Sequence, residues 1–99
     1  MVQHVILWKL KDEIPPERRA ETRHEVKARL EALTGKIEGM LSIKVNAEPL
    51  STSSADMMLD SRFESKKALE AYQNNPLHLE AAGYVRSVVD VRLCLDFEI

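Results

Sequence analysis

The 99-residue sequence predicts an α+β fold in which helices pack on one face of an antiparallel sheet. Two observations lead there. Four segments alternate apolar and polar residues with the period of a strand, and helical spacing with proline or serine start signals lies between them. The segments fall in the order β-α-β-β-α-β, the split βαβ arrangement of ferredoxin-like folds. Nothing in the composition marks a linker, a repeat or a low-complexity tract, so residues 1–99 read as a single domain.

In the first strand, residues 2–10, Val2, His4, Ile6, Trp8 and Leu10 share one face and Gln3, Val5, Leu7 and Lys9 the other. Pro15-Pro16 then starts a helix, because proline's fixed φ and missing N–H suit the first turn. Val26, Leu30, Leu33 and Ile37 recur at helical spacing around a stop at Gly35, with Ile37 in the turn beyond. Gly39 introduces a strand with Leu41, Ile43 and Val45 on one face. A loop-like tract, residues 48–55, separates it from its hairpin partner, where Met57, Leu59, Ser61 and Phe63 share a face. Ser65 is the expected N-cap of a helix carrying Ala68, Leu69 and Tyr72 on one side. Asn74-Asn75-Pro76 breaks that helix, and Pro76 starts a second one running to about Val85. In the last strand Val89, Val91, Leu93, Leu95, Phe97 and Ile99 face one way, and Asp90, Arg92, Cys94, Asp96 and Glu98 the other.

Helices on one side leave the opposite sheet face bare, and the apolar residues of the last strand suit that face. A homodimer built sheet against sheet is expected. Charge excludes other partners: 14 basic and 16 acidic residues are dispersed, with no basic stripe for nucleic acid. The apolar start is too short and too interrupted for a signal core or a membrane span, so a cytoplasmic protein without membrane attachment is expected. Cys94 is the lone cysteine, which excludes an internal disulfide. His4, His24 and His78 show no ligand spacing, and no metal is expected. The alternating charges from Glu17 to Glu31 read as a solvated helix face with i,i+4 pairs such as Glu25 with Arg29.

The chemistry concentrates on Tyr72 and His78, which flank the helix break. A phenol and an imidazole in one place can move protons without a cofactor. They can equally be packed core-edge aromatics, with His78 donating to a backbone carbonyl in the Asn-Pro turn. Pairing the midpoints of the first and last strands sets His4 opposite Asp96 and Arg92 near Trp8. Arg23 interrupts the apolar stripe of the first helix. If Arg23 and Arg92 both reach a cavity they suit a carboxylate or phosphate, and snorkelling to solvent is the other fate of Arg23.

Three pieces together resemble the stress-responsive α/β-barrel domain family, abbreviated Dabb: HVILWKLKDEI from His4 to Ile14, RFESKKALEAY from Arg62 to Tyr72, and the NPLH turn at His78 followed by a strand ending DFE at Glu98. The resemblance covers essentially the whole chain and implies a dimeric α/β barrel. A characterised cyclase of that family closes a linear polyketide by a cofactor-free aldol reaction. Its catalytic tyrosine and histidine carry over onto Tyr72 and His78, and a pocket histidine onto His4. Met57 stands where the cyclase has a further pocket histidine, and a pocket tyrosine is replaced near Val26, so polyketide specificity does not carry over. Strand parity and the resemblance together imply an enclosed cavity lined by His4, Ile6, Trp8, Met57, Leu59, Tyr72, His78 and Cys94, with Arg92 as a further substrate contact.

Three readings of function stay open. The first is a small-molecule-binding dimer acting as a cofactor-free lyase, cyclase or isomerase on a carbonyl substrate through His78 and Tyr72. The second is a non-catalytic stress-responsive dimer with a packed core. The third is a monooxygenase of the dimeric α/β-barrel type, for which no haem-ligand pattern stands out.

Overall fold

The computed structural model describes residues 1–99. The elements are β1 (Val2–Leu10), α1 (Pro16–Glu31), β2 (Met40–Asn46), β3 (Met57–Phe63), α2 (Lys66–Gln73), α3 (Pro76–Val88) and β4 (Val89–Glu98). The strands form one antiparallel sheet in the order β2-β3-β1-β4, the ferredoxin-like layout with its second helix split in two. On β1 and β3 the predicted faces are the observed ones. Val2, Ile6, Trp8 and Leu10 of β1 and Met57, Leu59 and Phe63 of β3 are buried together with Val26, Leu30, Leu69, Tyr72, Ala81 and Val85 of the helices. Each such large apolar side chain contributes about 1.5–3 kcal/mol on burial.

Polar contacts fix α1 and α2 over this layer. Val45 lies on β2, at the sheet edge. Its N–H donates to Glu31 Oε2 at 2.9 Å and its carbonyl accepts from Lys27 Nζ at 2.8 Å, so two side chains of α1 satisfy backbone groups that an edge strand leaves open. Ser65 Oγ accepts from Ala68 N at 3.1 Å, the predicted cap of α2. Gly39 has φ +82°, and a Cβ there would lie 2.6 Å from Ala68 Cβ, so the entry to β2 passes against α2 where only glycine fits.

Two boundaries and one strand face differ from expectation. The first helix ends at Glu31, short of Gly35. Leu33, Thr34 and Lys36 donate to carbonyls three residues back, and these tighter turns bury Leu33 and Ile37 outside the helix. Leu41 is 49% exposed, although parity put it with Ile43 and Val45. Met40 pairs with Phe63 and Ser42 with the adjacent Arg62, which makes Leu41 the extra residue of a bulge. The third helix continues past Val85 to Val88 and passes directly into β4.

The register of β1 with β4 is the expected one, with His4 opposite Asp96 and Trp8 opposite Arg92. Leu93 and Leu95 of β4 are each 64% exposed, and Val91 and Phe97 are also open. No helix is long and apolar enough to cross a membrane.

Candidate functional site

Residues six apart in one unbroken helix point about 120° apart, so Tyr72 and His78 meet only because the helix breaks. Asn75 makes the break. Its side chain accepts from Leu77 N at 2.9 Å, and Pro76 begins α3. The ring centroids of Tyr72 and His78 then lie 4.1 Å apart at a 44° tilt. Phe63 sits 4.9 Å from the Tyr72 ring on another side, and His4 lies edge-on to it at 6.4 Å.

The rings of His4, Tyr72 and His78 line a cavity of about 320 Å³ between the sheet and the helices. That is at the low end of small-molecule sites, about 300–1,000 Å³. It is a cleft open on one side rather than the sealed void expected. Of the residues named from sequence, His4, Ile6, Trp8, Leu59, Tyr72, His78 and Arg92 line it. Met57 and Cys94 do not. Met57 is buried at the start of β3, beside a separate depression formed with the hairpin loop, and Cys94 sits on the outermost strand against His4 and Asp96. Strand parity fixes the face a residue occupies and not its place along the sheet. Arg23 stays outside the cleft as well, donating from Nε to Ala47 O at 2.9 Å. The sequence reading missed Arg86, which also lines the cleft. The signal was available, since His78, Ala82 and Arg86 follow at four-residue steps along one side of α3.

Two buried side-chain polar atoms in the chain lack a hydrogen-bond partner: Tyr72 Oη and His78 Nδ1. Folding satisfies nearly all such groups, and each one left over costs about 1–3 kcal/mol. No hydrogen bond joins the two side chains: their rings pack at a 44° tilt, and neither Tyr72 Oη nor His78 Nδ1 has a partner. Burial pushes the Tyr72 phenol up to about 12, against the opposing charge of Arg92, so the phenol keeps its proton. Burial likewise draws His78 below its usual 6.5; His4, Arg86 and Arg92 add to this and the Gln73 backbone opposes it. The imidazole is therefore neutral at pH 7. A protonated donor and a neutral acceptor share one apolar cleft.

His4 is buried, and its Nδ1 is hydrogen-bonded to the Asp96 carboxylate across the β1–β4 pairing. Cys94 Sγ lies 3.7 Å from His4 Nδ1 and 3.5 Å from Asp96 Oδ1. The three donor atoms fall within 4.8 Å of one another, a possible metal-binding group that linear spacing could not show because it forms across two strands. In this structure the carboxylate already engages His4 Nδ1. Burial, with Asp96 adding to it, raises the Cys94 thiol pKa, which disfavours a thiolate nucleophile.

Solved structures share this architecture. A dimeric ferredoxin-like protein of unknown function from Bacteroides fragilis superposes with a TM-score of 0.91 at 28% identity, over 99% of this chain and 95% of that one. The Arabidopsis thaliana protein At3g17210 does so with a TM-score of 0.75 at 26% identity, over 100% and 95%. A hydroxynitrile lyase from Passiflora edulis has a TM-score of 0.79 at 16% identity, over 99% and 92%, a likeness of fold alone. No curated protein matches the chain. The family model of the stress responsive A/B barrel domain matches residues 2–99, and the chain belongs to that family.

Proposed function

We propose that this chain is a homodimeric, cofactor-free catalyst of proton transfer on a small carbonyl compound, a lyase, cyclase or isomerase with His78 as general base and Tyr72 as hydrogen-bond donor. One observation carries the reading. The two buried polar atoms without partners, Tyr72 Oη and His78 Nδ1, belong to touching rings that line the same cleft. Keeping both unsatisfied costs stability, and a bound molecule offering an acceptor to Tyr72 and a proton to His78 recovers that cost.

In the proposed reaction His78 Nδ1 takes a proton from the carbon next to the carbonyl. The C–H electron pair moves into the new C–C π bond and the carbonyl π pair onto oxygen, where the Tyr72 O–H donates to the forming oxyanion. The resulting carbon nucleophile then attacks a second carbonyl, expels a leaving group or is reprotonated at a new position, and the imidazolium returns its proton. Ile6, Leu30, Leu59 and Val85 keep the walls apolar, which strengthens both contacts.

The dimer is part of the proposal. Val91, Leu93, Leu95 and Phe97 leave an apolar stripe on the uncovered side of the sheet, and the Bacteroides fragilis protein of the same fold is dimeric. The test of catalysis is exchange: small ketones, aldehydes and thioesters are incubated with the protein in D2O and followed by proton NMR. The proposal expects deuterium uptake beside the carbonyl that is lost in His78→Ala. Exchange equal in wild type and His78→Ala, or none with any compound, would favour the non-catalytic dimer.

A further inference from the structure

We propose that the mouth of the cleft is a carboxylate subsite formed by Arg86 and Arg92, so that the substrate is an amphiphilic carbonyl acid with its charged end toward these two side chains. This rests on the cleft being the substrate site and adds what that substrate carries. Four of the chain's seven arginines have side-chain partners. Arg19 pairs with Asp56, Arg23 donates to Ala47 O, Arg29 meets Glu25 and the Tyr84 ring, and Arg62 donates to Gln3. Arg18, Arg86 and Arg92 form no ion pair, Arg92 approaching only the neighbouring Cys94 thiol, and two of these three line the one cleft that holds the unpartnered tyrosine and histidine.

Their placement gives the subsite a position. Arg86 and Arg92 bracket the junction where α3 passes into β4. Arg86 lies eight residues after His78, about 12 Å further along the helix axis at the backbone. Arg92 is opposite Trp8, four residues along β1 from His4. Both guanidinium groups therefore enter from the same end of the cleft, away from the His4 level, with Ala82, Val85 and Val89 lining the space beside them. Asp90 also borders the mouth and forms no ion pair, so the lining charge there is two positive against one negative. A net charge of +1 suits a monoanion. The planar fork of each guanidinium matches a carboxylate, whereas a phosphate dianion would confront Asp90.

The test is a set of calorimetric titrations at fixed ionic strength with 4-phenylbutyrate, its neutral isostere 4-phenylbutanamide, and 2-phenylethyl phosphate. A hydrogen bond to a charged group is worth roughly a tenfold to hundredfold change in affinity, so the acid is expected to bind at least about tenfold more tightly than the amide. Arg86→Gln with Arg92→Gln removes that advantage and leaves amide affinity unchanged, while Arg18→Gln changes neither. Unaltered melting of the double variant shows that folding is intact, as expected for exposed positions. Equal binding of acid and amide, an acid advantage that survives the double substitution, tighter binding of the phosphate, or no binding of the acid would each overturn the inference. No turnover enters these measurements. A protein that prefers the acid but shows no deuterium exchange refutes only the proposed catalysis, and one that exchanges without preferring the acid refutes only the subsite.

Discussion

Replacing Tyr72 by phenylalanine removes one oxygen and keeps the ring. In the structure that oxygen is buried and has no partner, while the ring makes the contacts to Phe63 and His78. The contacts survive and the desolvated hydroxyl is gone, so the variant should be more stable by about 1–3 kcal/mol. For a chain of this size 1 kcal/mol moves the melting temperature by about 4–8 °C, and the change is expected upward by at least that amount. Circular-dichroism melts and urea midpoints of both proteins, taken at the same protein concentration because dimerisation raises apparent stability by mass action, measure it directly. The same change should lower any exchange rate by about 10²–10³, the usual effect of removing one donor to an oxyanion. A melting temperature lowered by several degrees would refute the reasoning, since it would mean that the hydroxyl makes a stabilising hydrogen bond in the free protein.

Further outcomes are expected at His78, Leu93 and Gly39. His78→Ala should reduce turnover by about 10²–10⁴ with the fold intact by circular dichroism. Because His78 must be neutral to act, the acid limb of the pH–rate profile should lie below pH 6.5, with no alkaline limb from Tyr72 below about 12. The depressed His78 value also means that its contribution to stability is present above 6.5 and lost as pH falls through the folded value, so His78→Phe should flatten the pH dependence of urea midpoints in that range. Leu93→Asp, a charge placed within the exposed β4 stripe, should convert the dimer to monomer in light scattering, and an unchanged dimer would require another interface. Gly39→Ala, at φ +82° and against Ala68, should cost about 1–3 kcal/mol in chemical denaturation.

The fold was legible because period-2 and helical patterns rarely compete in this chain. The alternation of β1 and β4 is clear enough in the sequence to place His4 opposite Asp96, and Ser65 and Pro76 announce their helices. What stayed hidden depends on pairing between elements. Leu41 alternates correctly with its neighbours, and only the advance of one residue against β3 turns it outward. Gly35 is a good stop signal, yet tight turns end the helix one turn earlier. At the site, parity selected the right face for Met57 and Cys94 without showing that they lie off the cleft. Arg86 was overlooked because an arginine near a helix end reads as solvated until the cleft beside it is seen. The meeting of Tyr72 and His78 was inferred from the Asn-Pro break, but the orientation that leaves both polar atoms free required the packed rings.

His78 should be a neutral imidazole whose buried Nδ1 has no hydrogen-bond partner, and nitrogen-detected NMR of the 15N-histidine-labelled protein tests this without a substrate. The account predicts a His78 titration midpoint below 6.5, with Nδ1 the unprotonated nitrogen at pH 7. A midpoint at or above 6.5, or a proton resident on Nδ1 in a hydrogen bond, would contradict it.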